Sequence, residues 1–194
     1  MKKLLDAKII FKVKHSEWVS NLVPIRKKSG EIRLCVDFRN LNSALDKYNY
    51  PVPTMEQILQ MVSGSKLFSL LDGFSGYNQV LVAEEDRFKT TFRTNWGTFS
   101  YRRMSFGLIN AGETFQRAMD IDFHGLIGWS VVVYLDDVTI FSKKKEEHAF
   151  HLKHIFERCR KYGISLNPKK CVFMVTEGKL LGHVISKKWI SIDA

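Results

Sequence analysis

The stretch Val131-Val132-Val133-Tyr134-Leu135-Asp136-Asp137-Val138-Thr139-Ile140-Phe141 sets two adjacent acids between two apolar, largely β-branched runs. The runs read as strands, so the acids fall at a hairpin reversal. A lone turn acid would mean little, because Asp is a common turn residue. Two carboxylates pressed between buried strands are costlier: at about 4 Å and an effective dielectric near 20 they repel by roughly 4 kcal/mol. Keeping both ionised calls for a cation, and hard carboxylate oxygens suit Mg²⁺ or Mn²⁺. A third acid has a similar setting, since Ser65 to Leu71 reads as a strand that ends in Asp72, with Gly73 opening a turn. Three strand-end carboxylates in one sheet could hold two divalent ions, which align attacking and leaving oxygens in phosphoryl transfer. The plain alternative is that all three acids decorate turns.

Other residues carry chemistry less specifically. In Gly73-Phe74-Ser75-Gly76-Tyr77, two glycines allow the backbone close to a ligand, while Tyr77 by itself reads as a core aromatic. Arg26-Lys27-Lys28-Ser29-Gly30 reads as a basic hairpin tip between strands at Leu22–Ile25 and Glu31–Asp37, which on charge alone is a solvated turn. His148, His151 and His154 recur every three residues, but helical metal pairs usually stand four apart and no Cys or acid completes a tetrahedral set. This segment is therefore predicted as an amphipathic helix with solvated histidines, its buried side being Leu152, Ile155 and Phe156.

The acids need a frame. A strand at 66–72, a helix at 112–126, a hairpin at 130–141, a helix at 145–162 and a strand at 171–175 predict a ferredoxin-like βαββαβ antiparallel sheet, hence an α+β fold with helices on one face. Upstream, Thr54-Met55-Glu56-Gln57 fits a capping box and predicts a helix over 55–62. Gln79–Val82 and Thr90–Thr94 are expected to pair as strands. Gly163 is placed to cap the helix that ends at Lys161-Tyr162. No internal repeat or low-complexity tract appears.

The sequence of motifs then becomes specific. Tyr134-Leu135-Asp136-Asp137 resembles the Y-x-D-D box of reverse transcriptases, and the whole chain resembles the fingers and palm of the enzyme of gypsy-class LTR retrotransposons. Matching segments come in the family's order: Trp18 to Asn21, Arg33 to Asn42 (RLCVDFRNLN), Leu70 to Tyr77, Phe106-Gly107-Leu108, the YLDD box, Leu166 to Cys171 and Leu180 to His183. The resemblance implies a right-hand polymerase with fingers at 1–46 and 80–107, a palm at 47–79 and 108–185, and a truncated connection at 186–194 with no thumb. It implies an RNA- and DNA-templated DNA polymerase that joins a dNTP to a primer 3′-hydroxyl, using two Mg²⁺ ions, or Mn²⁺ in their place. Asp72, Asp136, Asp137 and the backbone carbonyl of Gly73 would be the ligands. Lys170 would sit by the departing pyrophosphate, a general-acid role. Lys27 (or Lys28) and Arg33 would touch the triphosphate. Phe74 would line the nucleotide pocket, Tyr77 would lie under the sugar, and Phe106-Gly107 would pack on the templating base pair. Tyr134, Gln116, Arg117 and the grip Leu181-Gly182-His183 would face primer and template. The expected partners are primed RNA or DNA, dNTPs, and the RNase H and integrase of a larger polyprotein.

Composition agrees with a polyanion partner: 194 residues carry net charge +10, from 30 basic and 20 acidic side chains. No apolar run reaches membrane-span length, and the Lys-rich N-terminus lacks a signal peptide's apolar stretch. Three scattered cysteines, Cys35, Cys159 and Cys171, suit a reducing compartment, so an intracellular setting is expected, in a cytoplasmic particle or the nucleus. Three departures from the gypsy pattern stand out: Ser105 in place of Pro, Glu113 at a normally small position, and Lys188-Trp189 in place of an acidic-Gly pair. The chain stops where fingers and palm end, so an inactive, nucleic-acid-binding remnant is the alternative expectation.

Overall fold

The computed structural model describes residues 1–26, 30 and 32–192, apart from the side chain of Arg33. It resolves into two compact units, Met1–Asn49 with Tyr77–Gly112, and Tyr50–Gly76 with Glu113–Ala194.

In the first unit, helix α1 (Lys2–Asp6) precedes strands β1 (Ile10–Val13), β2 (Ser20–Arg26) and β3 (Ile32–Val36), and helix α2 (Arg39–Ala44) follows them. Later in the chain, β5 (Phe92–Thr94) and β6 (Gly97–Tyr101) complete a five-stranded sheet of order β1-β6-β5-β2-β3. All neighbours are antiparallel except β2 and β5, which pair in parallel only at Ser20 and Asn21. That short pairing leaves the edge of β2 open at Pro24, where an N–H is missing and no ladder bond is lost. Ile10, Val36, Phe38, Leu41, Phe92, Phe99 and Tyr101 form the core, with Leu4, Leu5 and Trp18 packed against it.

One expectation fails here. Gln79–Val82 does not pair with Thr90–Thr94; Leu81 makes only an isolated bridge to Arg103. Residues Glu84–Thr90 instead wind into a 3₁₀ turn. In that helix side chains at i and i+3 eclipse, and the sequence supplies pairs at that spacing. Arg87 meets Glu84 at 2.9 Å and Lys89 meets Asp86 at 2.7 Å, while the Thr90 hydroxyl donates to the Arg87 carbonyl at 2.7 Å.

In the second unit, α3 (Met55–Val62) precedes β4 (Leu67–Asp72), then come α4 (Ala111–Asp122), β7 (Val131–Tyr134), β8 (Asp137–Ser142), α5 (His148–Tyr162) and β9 (Val172–Val175). The four strands order as β7-β8-β4-β9, antiparallel throughout. That is the ferredoxin-like βαββαβ arrangement read from the sequence. Strands β10 (Glu177–Leu180), β11 (His183–Ser186) and β12 (Ile190–Ile192) form a separate meander. The predicted capping box is present: Thr54 accepts from the Gln57 amide, and Gln57 accepts from the Thr54 amide. Gly163 closes α5 with φ of 70°.

Strand alternation divides the four-stranded sheet. Phe68, Val132 and Phe141 pack with Ile58 and Val62 of α3 and with Leu180 and Ile185 of the meander. The opposite face meets α5, where Ser69 and Ser142 bond to His148. The crossover helices α4 and α5 touch, Arg158 donating to the carbonyls of Asp122 and His124. The histidine expectation is corrected: His148 and His151 are 0% and 4% exposed and belong to the buried face of α5, while Phe156 is only half-buried. Among the described residues, no helix is long and apolar enough to cross a membrane.

Candidate active site

Strands β4 and β8 pair from Leu67 opposite Ser142 to Asp72 opposite Asp137. Asp72 and Asp137 are therefore directly opposed, with Cβ atoms expected about 4.5–5.5 Å apart. Tyr134 is the partner of Asp137 on the other side, so Leu135-Asp136 is a two-residue turn. Leu135 takes φ of 53°, at a position where such turns usually carry Gly or Asn. For an L-residue that conformation costs about 1–2 kcal/mol, and several contacts hold it.

The Leu135 N–H donates to Gln116 Oε1 at 2.8 Å, and Gln116 Nε2 donates to the Val133 carbonyl at 3.2 Å. The Gly73 N–H donates to the Asp136 carbonyl at 3.2 Å, joining the end of β4 to the turn. Gly76 closes in behind: a Cβ added there would stand 3.0 Å from the Asp136 Cβ, tighter than ordinary contact. This close approach is what the second glycine of Gly73–Gly76 permits.

Lys170 is placed by the turn after α5. Asn167 donates its N–H to the Asp72 carbonyl at 2.8 Å and accepts from the Lys170 N–H at 3.0 Å. The Lys170 ammonium then reaches Asp72 Oδ2 at 3.0 Å. A cleft of about 410 Å³ opens beside these groups, lined by Leu70, Thr139, Val172 and Leu180 as well as Asp72, Asp137 and Lys170.

The electrostatics are unbalanced. Asp137 is exposed at the strand end, and its carboxyl is raised above its ordinary pKa by partial desolvation from the surrounding chain and then by the negative charges of Asp136 and Asp72; Lys170 opposes the shift. Among the described residues, no three metal-ligating side chains are gathered closely enough to grip an ion as they stand. The donor set nevertheless suits a hard divalent cation: three carboxylates, no soft ligand, and one cationic group already drawn to Asp72.

The other expected site residues lie as follows. Phe74 is 55% exposed and donates its N–H to the Ser165 carbonyl. Tyr77 is buried, in an edge-on contact with Phe106 at 4.6 Å. Gly107 takes φ of 92°, and its carbonyl accepts from Asn42. Arg117 is exposed and Tyr134 half-buried. Leu181 and Gly182 both have positive φ in the β10–β11 turn, and His183 Nδ1 bonds the Leu181 carbonyl. Lys27 and Lys28 lie outside the described residues, as does the side chain of Arg33. Gln116, expected toward primer and template, is instead 1% exposed, and its amide is committed to the turn. Sequence reasoning also passed over Tyr50 and Asp120. Asp120 Oδ1 accepts from Gln116 Nε2 at 3.0 Å, and Asp120 Oδ2 accepts from the Tyr50 hydroxyl at 2.8 Å. The i,i+4 spacing of Gln116 and Asp120 on α4 was the available signal.

Comparison with known proteins agrees with this geometry. The family model described as "Reverse transcriptase (RNA-dependent DNA polymerase)" matches residues 25–185. The Retrovirus-related Pol polyprotein from transposon 412 of Drosophila melanogaster is 33% identical, over all of this chain and 16% of its own length. The corresponding polyprotein from transposon gypsy of the same organism is 37% identical, over 83% of the chain and 16% of its own length. This chain thus spans only about a sixth of those relatives. The foamy viral protease-reverse transcriptase in complex with RNA/DNA hybrid superposes with a TM-score of 0.90 at 20% identity, over 98% of this chain and 25% of that one. A form of that protein in complex with double-stranded DNA gives 0.90 at 21%, over 97% and 33%. The ordered motifs, the strand-end acids and the matched profile agree: the chain belongs to the reverse transcriptase (RNA-dependent DNA polymerase) family.

Proposed function

We propose that the chain is the fingers and palm of an RNA- and DNA-templated DNA polymerase, the first unit corresponding to fingers and the second to palm. The observation that carries this reading is the β4–β8 register, which opposes Asp72 to Asp137 at the sheet end with Asp136 in the adjoining turn. Asp72 and Asp136, with the Gly73 carbonyl, would hold two divalent ions, and Asp137 would support them. When bound, such ions neutralise phosphate charge and make the primer hydroxyl a better nucleophile. The chain's own groups do the rest. The acids fix the place where the primer 3′-oxygen and the α-phosphate of a dNTP meet. Lys170 leaves Asp72 and donates a proton to the departing pyrophosphate. Tyr77 lies against the sugar, and the net positive charge of the chain favours phosphate backbones without reading sequence. The relatives' printed names, Pol polyproteins and a reverse transcriptase in complex with RNA/DNA hybrid, support a primed template as partner and a polyprotein setting.

The test is primer extension on RNA and DNA templates with Mg²⁺ and dNTPs. Incorporation is expected, with Asp136→Asn lowering it by at least about 10²-fold, the scale of removing one transition-state contact. A chain that shifts primed template in a gel yet extends nothing, even when a thumb is supplied, overturns the reading in favour of a binding remnant.

A further inference from the structure

We infer that Tyr50 and Asp120 are positioning residues for the acidic turn, acting through Gln116; this rests on the proposed metal-binding role of Asp72, Asp136 and Asp137. The bonds have one consistent direction. The Leu135 N–H can meet only the oxygen of the Gln116 amide, so its NH₂ must face Val133 and Asp120. Asp120 receives one of those hydrogens on Oδ1 and the Tyr50 hydroxyl hydrogen on Oδ2. Each donor in the run finds an acceptor.

One amide thus grips the turn at both ends, at the Val133 carbonyl and the Leu135 N–H. The backbone angle at Leu135 directs Asp136, the next residue, so whatever fixes Gln116 fixes a proposed ligand. A cavity of about 390 Å³ borders the amide, lined by Pro51, Gln57, Met61, Asp120 and Val133, among others. On the side of that space Asp120 holds the second hydrogen of the Gln116 NH₂, adding to the bonds with Val133 and Leu135. Asp120 in turn is oriented by Tyr50, which enters on a stiff segment because Pro51 and Pro53 restrict the residues before them.

Three readouts on the 194-residue chain test this: amide hydrogen exchange at Leu135, Mn²⁺ affinity by electron paramagnetic resonance, and the thermal midpoint. Asp120→Ala is expected to speed Leu135 exchange and weaken Mn²⁺ binding by about five- to tenfold each, the scale of one lost hydrogen bond, with the midpoint lowered by about 2–6 °C and the fold intact. Tyr50→Phe, which removes a single oxygen, should act in the same direction by about two- to threefold. Asp120→Asn keeps an acceptor for Gln116 and should stay near the parent. Gln116→Glu sets a carboxylate against two acceptors and should be the most disruptive. Combining it with Asp120→Asn returns a donor to that contact and should recover most of the loss, which a merely structural role would not do. Unchanged Leu135 exchange in all the Tyr50 and Asp120 variants overturns the inference. So does faster exchange with unchanged Mn²⁺ affinity when Asp136→Asn abolishes Mn²⁺ binding. If Asp136→Asn leaves Mn²⁺ affinity unchanged, or the parent binds no Mn²⁺, the metal-site reading fails instead, and Leu135 exchange still judges the relay.

Discussion

Strand β4 carries two polar clusters, on opposite faces and three residues apart. At Ser69 the cluster is closed on itself. His148 bonds Ser69 through Nε2 at 2.8 Å and Ser142 through Nδ1 at 2.7 Å, and Ser142 bonds His151 Nδ1 at 2.7 Å. Ser69 also accepts the Met174 N–H at 3.0 Å, at the register shift where β9 departs from regular pairing. At Asp72 the cluster is rich in acid: Asp72, Asp136 and Asp137 lie at one sheet end, where Lys170 pairs with Asp72. Buried polar groups normally find partners within the protein. The first cluster is buried, obeys that rule and stabilises the sheet; the second lies at an open sheet end, where Asp137 is exposed and Asp72 and Asp136 are half-buried, a setting in which the acids stay accessible to a cation.

That contrast can be broken in graded ways. The largest effect belongs to Asp136→Asn, which should cost nucleotide incorporation at least about 10²-fold while leaving the fold intact, because the turn backbone keeps its bonds. His148→Ala should do the reverse. It removes one hydrogen bond from each of two buried serines and opens a cavity, so about 3 kcal/mol of stability and roughly 6–12 °C of thermal midpoint should be lost in calorimetry. Incorporation per folded molecule should hold.

The next effect is on pH. Burial lowers the pKa of His148 and of His151 in the folded chain. Between the ordinary histidine value near 6.5 and those lowered values, the unfolded chain binds more protons than the folded one. Their contribution is complete above about pH 6.5 and is lost as pH falls below it. Denaturant titrations at pH 7 and 5.5 should show the drop, and His148→Gln with His151→Gln should flatten it.

The smallest effect has the opposite sign. Ionised Asp137 is a cost to the folded state, because its folded pKa is raised. The cost is present above that pKa and fades as pH falls through it. In EDTA, Asp137→Asn should therefore raise the midpoint by about 1–3 °C, and added Mg²⁺ should narrow the gap by stabilising the parent more than the variant. A lower midpoint for the variant in EDTA would show that the acids are not in conflict.

Local chemistry made much of this legible. The Thr54 capping box, the Gly163 cap and the two strands flanking the acids are signals written within a few neighbouring residues. That the three acids lie at strand ends of one sheet was readable from the sequence; the direct opposition of Asp72 and Asp137 came from the β4–β8 register. What escaped reading depends on partners far along the chain. His148 and His151 look polar until Ser69 and Ser142 arrive from two strands, yet with Leu152, Ile155 and Cys159 they complete one helical stripe. Gln116 reads toward primer and template because two of its partners, the Val133 carbonyl and the Leu135 N–H, belong to the hairpin and not to its own helix. Gln79–Val82 and Thr90–Thr94 read as paired strands by composition; Phe92–Thr94 does form a strand, but Gln79 closes one 3₁₀ turn and the next turn, with its i,i+3 charge pairs, runs as far as Thr90. The left-handed Leu135 leaves no trace in sequence, since neither Gly nor Asn marks it.

The Lys170–Asp72 pair has a consequence for how ions come and go. The side chains are 64% and 24% exposed, so the pair is weak by itself, but one partner is covalently part of the chain. Its local concentration is fixed and cannot be diluted away. An arriving divalent ion must win an exchange against this built-in competitor, and victory frees the lysine at the same instant. Under the proposed reaction, loading the centre and releasing the Lys170 ammonium would become a single event, which would keep an unloaded centre from spending its acid.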